Sequence, residues 1–140
     1  RISDRSSITG RYRQYSYDKA GNASYFGGSF RNISPSAFGY GVSAHRMAGD
    51  TTDLRYNEYR VYVTSVIRDI EATLDLIDID YDEAINDIEH AYTALFAMDY
   101  RQAGPLKFGF DISYSKNPEF DSDMRALFRM NYRFGTGIGI

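Results

Sequence analysis

Hydrophobic and polar residues alternate most strictly toward the end of the chain. Over residues 106–114 every even position is large and apolar (Leu106, Phe108, Phe110, Ile112, Tyr114), whereas Lys107, Gly109, Asp111 and Ser113 take the odd ones. After a turn at Lys116, Asn117, Pro118 and Glu119, the apolar side resumes as Met124, Ala126, Phe128, Met130, Tyr132 and Phe134, opposed by Arg125, Leu127, Arg129, Asn131 and Arg133. Period two marks a strand whose faces meet different media. A soluble sandwich also alternates, but its strands usually run about 5 to 6 residues. These runs have the roughly 9 to 11 residues that a tilted strand needs to cross hydrocarbon. A transmembrane barrel turns its apolar face to lipid and its charges to the lumen, between aromatic girdles where Tyr114, Tyr132 and Phe134 would stand.

Upstream the cadence is looser. Residues 8–17 alternate with a change of phase near Gln14, and residues 23–33 set Phe26 and Phe30 against Tyr25. Phe38, Tyr40, Val42 and Ala44 oppose Gly39, Gly41, Ser43 and His45, where inward glycines leave room for long side chains from elsewhere. Tyr59, Val61, Val63 and Ser65 oppose Glu58, Arg60, Tyr62 and Thr64. Over residues 70–81 the apolar parity passes from Ala72, Leu74 and Leu76 to Ile77, Ile79 and Tyr81, which predicts a bulge between Leu76 and Ile77. An amphipathic helix over residues 69–84 is the competing reading; the alternation of Ile77, Ile79 and Tyr81 with Asp78, Asp80 and Asp82 favours a strand. Residues 83–87 read as a loop, and residues 89–100 as a strand with Tyr92, Ala94, Phe96, Met98 and Tyr100 in phase. Eight strands are expected.

Short connections at residues 34–36 and 67–69 alternate with longer ones around Gly21, Asp50, Ala84 and Asn117, as barrel turns and loops do across a membrane. Residues 101–105 are long for their side. Matching faces requires even residue sums across the last hairpins. A tight turn at Ala103 would set Tyr100 opposite Leu106 and Asp99 opposite Lys107, and the next turn would set Asp111 opposite Arg125.

The 140 residues suit one domain, with strands within residues 1–134 and a tail at residues 135–140. No run of about eighteen apolar residues exists, which excludes a transmembrane helix. Charges of both signs, 16 basic and 19 acidic, are interspersed, so no basic face points to nucleic acid. Absence of cysteine removes disulfides, thiolate metal sites and c-type haem attachment. Tyrosine, at 13 residues the dominant aromatic, suits a membrane interface with its apolar ring and wet hydroxyl. The opening Arg1, Ile2, Ser3, Asp4 has neither an initiator Met nor a signal segment, so the sequence is expected to be processed or part of a longer chain.

Arg60, Asp99, Lys107, Asp111, Arg125, Arg129 and Arg133 are the expected lumen-facing charges, with Arg11 and Arg13 as further candidates. They could line an anion-selective lumen or fill a narrow barrel as salt-bridge partners. Asp78, Asp80 and Asp82 share one strand face and could hold a hard divalent cation, dock a basic partner, or form a solvated strand end. His45 and His90 are the only histidines, and no nucleophile or carboxylate is placed beside either, so neither a catalytic constellation nor a metal set is expected. The glycine-rich residues 135–140 lack the strand-helix context of a phosphate loop.

Residues 120–134 (FDSDMRALFRMNYRF) resemble the terminal strand of bacterial outer-membrane barrels, which ends on an aromatic. With the Tyr- and Arg-rich residues 8–18 and the run Phe108, Phe110, Ile112, Tyr114, the chain is similar to the porin-like barrels of porin-cytochrome electron conduits. That resemblance implies a place in the bacterial outer membrane, contact with membrane lipid and lipopolysaccharide, and a pore, sleeve or scaffold that houses or docks a multihaem cytochrome, the haem being the partner's. Those barrels are several times longer, and residues 135–140 depart from the terminal-aromatic pattern by running past Phe134. The expected fold is all-β: an antiparallel up-and-down transmembrane β-barrel of about eight strands, or the C-terminal strands of a larger one, without catalytic residues or cofactor. A soluble β-barrel binding module with an apolar ligand cavity is the alternative.

Overall fold

A computed structural model describes residues 5–19, 21–34, 38–100 and 106–132. The expected Arg133, Phe134, the tail at residues 135–140 and the connection at residues 101–105 lie outside the described residues. Eight strands follow one another: β1 (Ser6–Tyr17), β2 (Gly21–Ile33), β3 (Phe38–Gly49), β4 (Tyr56–Ile67), β5 (Ile70–Ile85), β6 (Ile88–Tyr100), β7 (Leu106–Asn117) and β8 (Phe120–Tyr132). Each pairs antiparallel with the strand before it, so the chain is one up-and-down sheet with β1 and β8 as open edges. Strand count and order are as expected, and the helical reading of residues 69–84 is not: β5 is extended throughout.

The hairpins are tighter than expected. Asn86 and Asp87, at φ 52° and 63°, form the two-residue link from β5 to β6, a left-handed turn that Asn and Asp tolerate. The loop expected at residues 83–87 is therefore mostly strand. Pro118 and Glu119 link β7 to β8 just as briefly, and Arg68 and Asp69 link β4 to β5. Among the described residues the one 3-10 turn, Thr52–Leu54, lies in the link from β3 to β4. Short and long connections thus do not alternate as expected, because the ladder continues past the end of each apolar run.

Register carries one face across the whole sheet. Ile8 pairs with Phe30, which pairs with Val42, and the row continues through Val61, Leu76, Ala94 and Tyr114 to Met124. The neighbouring row on the opposite face is Ser7, Arg31, Gly41, Tyr62, Asp75, Leu95, Ser113 and Arg125. Side chains therefore segregate into an apolar and a polar face, as period two requires.

Three register expectations need correction. No bulge separates Leu76 from Ile77: β4 and β5 pair without a break from Tyr56–Tyr81 to Ile67–Ile70. Ile77, Ile79 and Tyr81 consequently stay on the polar face, and the irregularity in β5 falls later, between Asp80 and Ile85. Asp99 lies opposite Gly109 and Tyr100 opposite Phe108, two residues from the expected pairing. Asp111 faces Leu127, while Arg125 faces Ser113. Even sums hold in both hairpins, and the chosen register sets Gly109 between Asp99 and Arg129, where a Cβ would stand 2.7 Å from Asp99 Oδ1 and 3.1 Å from Arg129 Nη2.

The single layer leaves almost no core. Only Ala23, Met47 and Ala91 are buried apolar residues among those described, and no large side chain is fully buried. Accessible surface is 10121 Å², against about 7,400 Å² for a folded soluble chain of this mass. Something other than this sheet must cover its apolar face.

Candidate functional site on the polar face

Crowding distinguishes the two faces. On the polar face an added Cβ at Gly41 would collide with the Tyr62 ring, and at Gly27 it would meet the His45 backbone and ring. On the apolar face Gly10 has nothing within 4 Å and Gly28 only Thr9 O at 3.6 Å. Side chains converge on the inside of a curved sheet and splay on its outside, so the polar face is the inner one. The expected room for long side chains beside inward glycines is found at Gly41.

Long polar side chains bridge strands on this inner face. The Arg60 guanidinium (β4) clasps Asp75 (β5) with two hydrogen bonds, one from Nε to Oδ1 at 2.8 Å. Arg129 Nη2 (β8) donates to Asp111 Oδ1 (β7) at 2.9 Å and reaches Asp99 Oδ1 (β6) at 3.4 Å, while its Nε faces Asp111 Oδ2 without aligning a hydrogen on it. Arg125 pairs with Asp123 of its own strand. Tyr25 (β2) spans β3, donating its hydroxyl to Glu58 Oε1 (β4) at 3.2 Å while its ring stacks on His45 at 4.8 Å. Charge-assisted bonds of this kind set side-chain positions as well as adding stability.

Arg60, Asp99, Lys107, Asp111, Arg125 and Arg129 all lie on this face, Lys107 opposite Asn131. Arg60, Arg125 and Arg129 are tied to carboxylates, whereas Arg11 and Arg13 have no acidic partner among the described residues. Arg31, Tyr25 and Glu58, which were not singled out from sequence, belong to the same face, as do His45 and Asp75. Parity was the available signal: Arg31 shares the odd positions of β2 with Tyr25.

Asp78, Asp80 and Asp82 share a face, but it is the apolar one, beyond the last apolar position of β5. Asp82 is held by both amino groups of Arg46, whose hydrogen bonds keep its carboxyl below the ordinary carboxylate range. Asp78 and Asp80 flank His90 Nδ1 at 4.0 and 3.7 Å. No group of three ligating side chains able to hold a metal occurs among the described residues. His45 and His90 project from opposite faces, so they cannot share a ligand.

The apolar face ends abruptly on every strand. Toward the end of the sheet that carries the β1–β2 turn, the last apolar and first polar residues are Tyr12 and Gln14, Phe26 and Ser24, Ala44 and Arg46, and Tyr59 and Asn57. The same step occurs at Leu76 and Asp78, Tyr92 and His90, Tyr114 and Lys116, and Met124 and Ser122. Four of these border residues are tyrosines, and the rings of Tyr92 and Tyr114 sit 5.7 Å apart. The border also runs obliquely across the ladder. One register row reads Tyr12, Phe26, Arg46, Asn57, Asp80, His90, turning polar after two strands. Another reads Ser6, Asn32, Tyr40, Val63, Leu74, Phe96, Ile112, Ala126, turning apolar after two. The polar border thus drifts relative to the register from one strand to the next.

Compared with protein-family models, with curated proteins and with solved structures, the chain matches none.

Proposed function

We propose that the sheet is the wall of a transmembrane β-barrel in the bacterial outer membrane, with membrane lipid and lipopolysaccharide on its apolar face and an aqueous lumen along its polar one. One observation carries the reading: an apolar band with a sharp polar border on all eight strands, tilted across the register. The band spans nine residues on β6, from Tyr92 to Tyr100, eight steps or roughly 27 Å along the strand. Inclined at about 40°, that is roughly 20 Å of height before side-chain reach, close to the approximately 25 Å apolar band of outer-membrane barrels.

Surface exposure supports the same reading. Ile8, Tyr12, Phe128 and Met130 are each about two-thirds exposed, and soluble monomers rarely leave contiguous apolar patches above a few hundred Å² uncovered. A soluble binding module would line its cavity with the apolar face, yet that face is the open one and the charged face is crowded. In hydrocarbon an unpaired strand edge is not tolerated, so the barrel closes through the edges of β1 and β8. Its role is that of a pore, sleeve or scaffold. Docking of a multihaem cytochrome, which rests on the resemblance of residues 120–134, residues 8–18 and the run Phe108, Phe110, Ile112, Tyr114 to conduit barrels, would require the partner to bring the haem.

Fractionation with and without detergent, read with gel migration before and after heating, tests this function. The expected result is a membrane-bound chain that needs detergent and whose folded band shifts on boiling. A compact monomer in plain buffer would transfer the assignment to the binding module.

A further inference from the structure

Two unpaired guanidiniums border a cavity of about 310 Å³ on the polar face, between β1 and β4. Its floor is the register row Thr9, Ser29 and Ser43, which ends on Arg60. Arg31 stands two positions to one side of this row and Arg11 two positions to the other, since Ser7 pairs with Arg31 and Arg11 with Gly27. Two positions along a strand are about 7 Å, within the reach of an arginine side chain, so both guanidiniums can close over the floor. Arg60 comes from the far end with part of its donor set committed to Asp75.

Charge and hydrogen bonding are both left over here. Among the described residues, Arg11 and Arg31 have no carboxylate partner and the hydroxyls of Thr9, Ser29 and Ser43 no hydrogen bond, and no described carboxylate lines the cavity; the Arg11 charge reaches only the Tyr25 hydroxyl. Across the rest of the face, Arg60, Arg125 and Arg129 each have a carboxylate. A guanidinium offers a planar fork of donors that matches phosphate oxygens in pairs, while small hydroxyls donate and accept, as a polyol requires. The volume falls at the small end of ligand pockets, which suits a sugar carrying one phosphate.

We propose that this cavity binds a phosphate-bearing, sugar-sized solute, with Arg11 and Arg31 on the phosphate and the Thr9, Ser29, Ser43 row on the sugar hydroxyls. The cavity opens on the face opposite the apolar band, so its ligand comes from water rather than from a lipid headgroup. Binding does not depend on the barrel reading; under that reading it makes the lumen selective for such anions.

The test is calorimetric titration of the full chain, folded in detergent micelles, with glucose 6-phosphate, glucose and inorganic phosphate. Glucose 6-phosphate is expected to bind at least tenfold more tightly than either of the others. Arg11→Gln and Arg31→Gln should each weaken it about tenfold, Arg31→Lys less, and Arg125→Gln not at all. Ser29→Ala, which leaves every charge in place, should lower affinity for glucose 6-phosphate without changing that for inorganic phosphate. Phosphatidic acid in the same micelles should not compete; competition would move the ligand to the headgroup layer and overturn the assignment. Equal affinity for glucose and its phosphate, or unaltered binding by the double variant Arg11→Gln/Arg31→Gln, would also sink it. If the chain proves soluble and the barrel reading fails, the same titration in plain buffer decides the cavity by itself.

Discussion

An arginine carried along one strand of the sheet should report which medium each face meets. Phe110 lies mid-band on β7, paired with Met98 of β6 and Phe128 of β8, with Tyr114 four residues away at the border. Four residues are about 13 Å along the strand, enough to separate hydrocarbon from interface. Arginine on the lipid face costs about 2–4 kcal/mol at mid-depth and about 0–1 near the interface. Phe110→Arg should therefore lower the folding equilibrium roughly 30- to 900-fold, whereas Tyr114→Arg should change it less than about tenfold. Ser115→Arg supplies the control for the other face, since Ser115 pairs with Asp123 there, and its effect should stay within about 0.5 kcal/mol. Unfolding in guanidinium from lipid vesicles, with ΔG by linear extrapolation, measures all three. A flat profile, or a Ser115→Arg variant as costly as Phe110→Arg, would refute the assignment of the two faces.

Glycines of the two faces should respond with opposite sign. Gly41→Ala displaces the Tyr62 ring and should cost about 1–3 kcal/mol, whereas Gly28→Ala, which meets only Thr9 O at 3.6 Å, should be neutral or stabilise by up to about 1 kcal/mol; chemical denaturation distinguishes them. Asp75→Ala leaves Arg60 without its carboxylate; because Arg60 is about half exposed, about 1–2 kcal/mol is expected rather than the full cost of an orphaned buried charge, and Arg60→Ala in the same chain should recover part of it. The depressed Asp82 carboxyl contributes stability above its unfolded value that is lost as pH falls through the lower folded one. Asp82→Asn should therefore flatten the acid limb of an unfolding curve below about pH 4, and an unchanged limb would show that the pair with Arg46 adds nothing. For closure, Tyr12→Cys with Met124→Cys should oxidise to a disulfide in the membrane, since both residues stand at the band border on opposite edges; failure to cross-link at this and the adjacent even pairs would mean the edges do not meet.

Strand number, and the two faces everywhere but the second half of β5, were legible because period two survives in most segments, and pairing followed from even sums. The exact register was not. Asp99 opposite Lys107 looked favourable as a charge pair, yet Arg129 on the next strand reaches both Asp99 and Asp111, and only Gly109 opposite Asp99 leaves space for it. A partner two strands away is invisible to pairwise reasoning. The bulge expected after Leu76 failed for a different reason. Hydrophobic parity changed there, but backbone parity did not. Past the band, outward positions need polar residues such as Asp78, Asp80 and Asp82, while inward Ile77, Ile79 and Tyr81 line a cavity of about 540 Å³ with Ala91 and Pro118. The switch marks where β5 leaves the band, which a bulge would imitate in sequence alone. The polar-face cluster of Tyr25, His45 and Glu58 was hidden because its members come from three strands and share only their parity.

The open edges and the missing core lead to the same requirement. β1 and β8, of 12 and 13 residues, each have a neighbouring strand on one side only among the described strands, and each polar backbone group left unpaired in hydrocarbon costs several kcal/mol. In water those same edges, flanked by an uncovered apolar face, would recruit other chains. Eight is an even number of up-and-down strands, so β1 and β8 run in opposite senses and can pair antiparallel without a crossover. The apolar row from Ile8 to Met124 would then continue across the seam. On the inner face, with Tyr12 beside Met124, Arg13 of β1, which lacks an acidic partner among the described residues, would stand opposite Asp123 of β8, a cross-strand charge pairing of about 0.2–1 kcal/mol. Face parity, strand sense and charge thus agree at the one place where the sheet is incomplete.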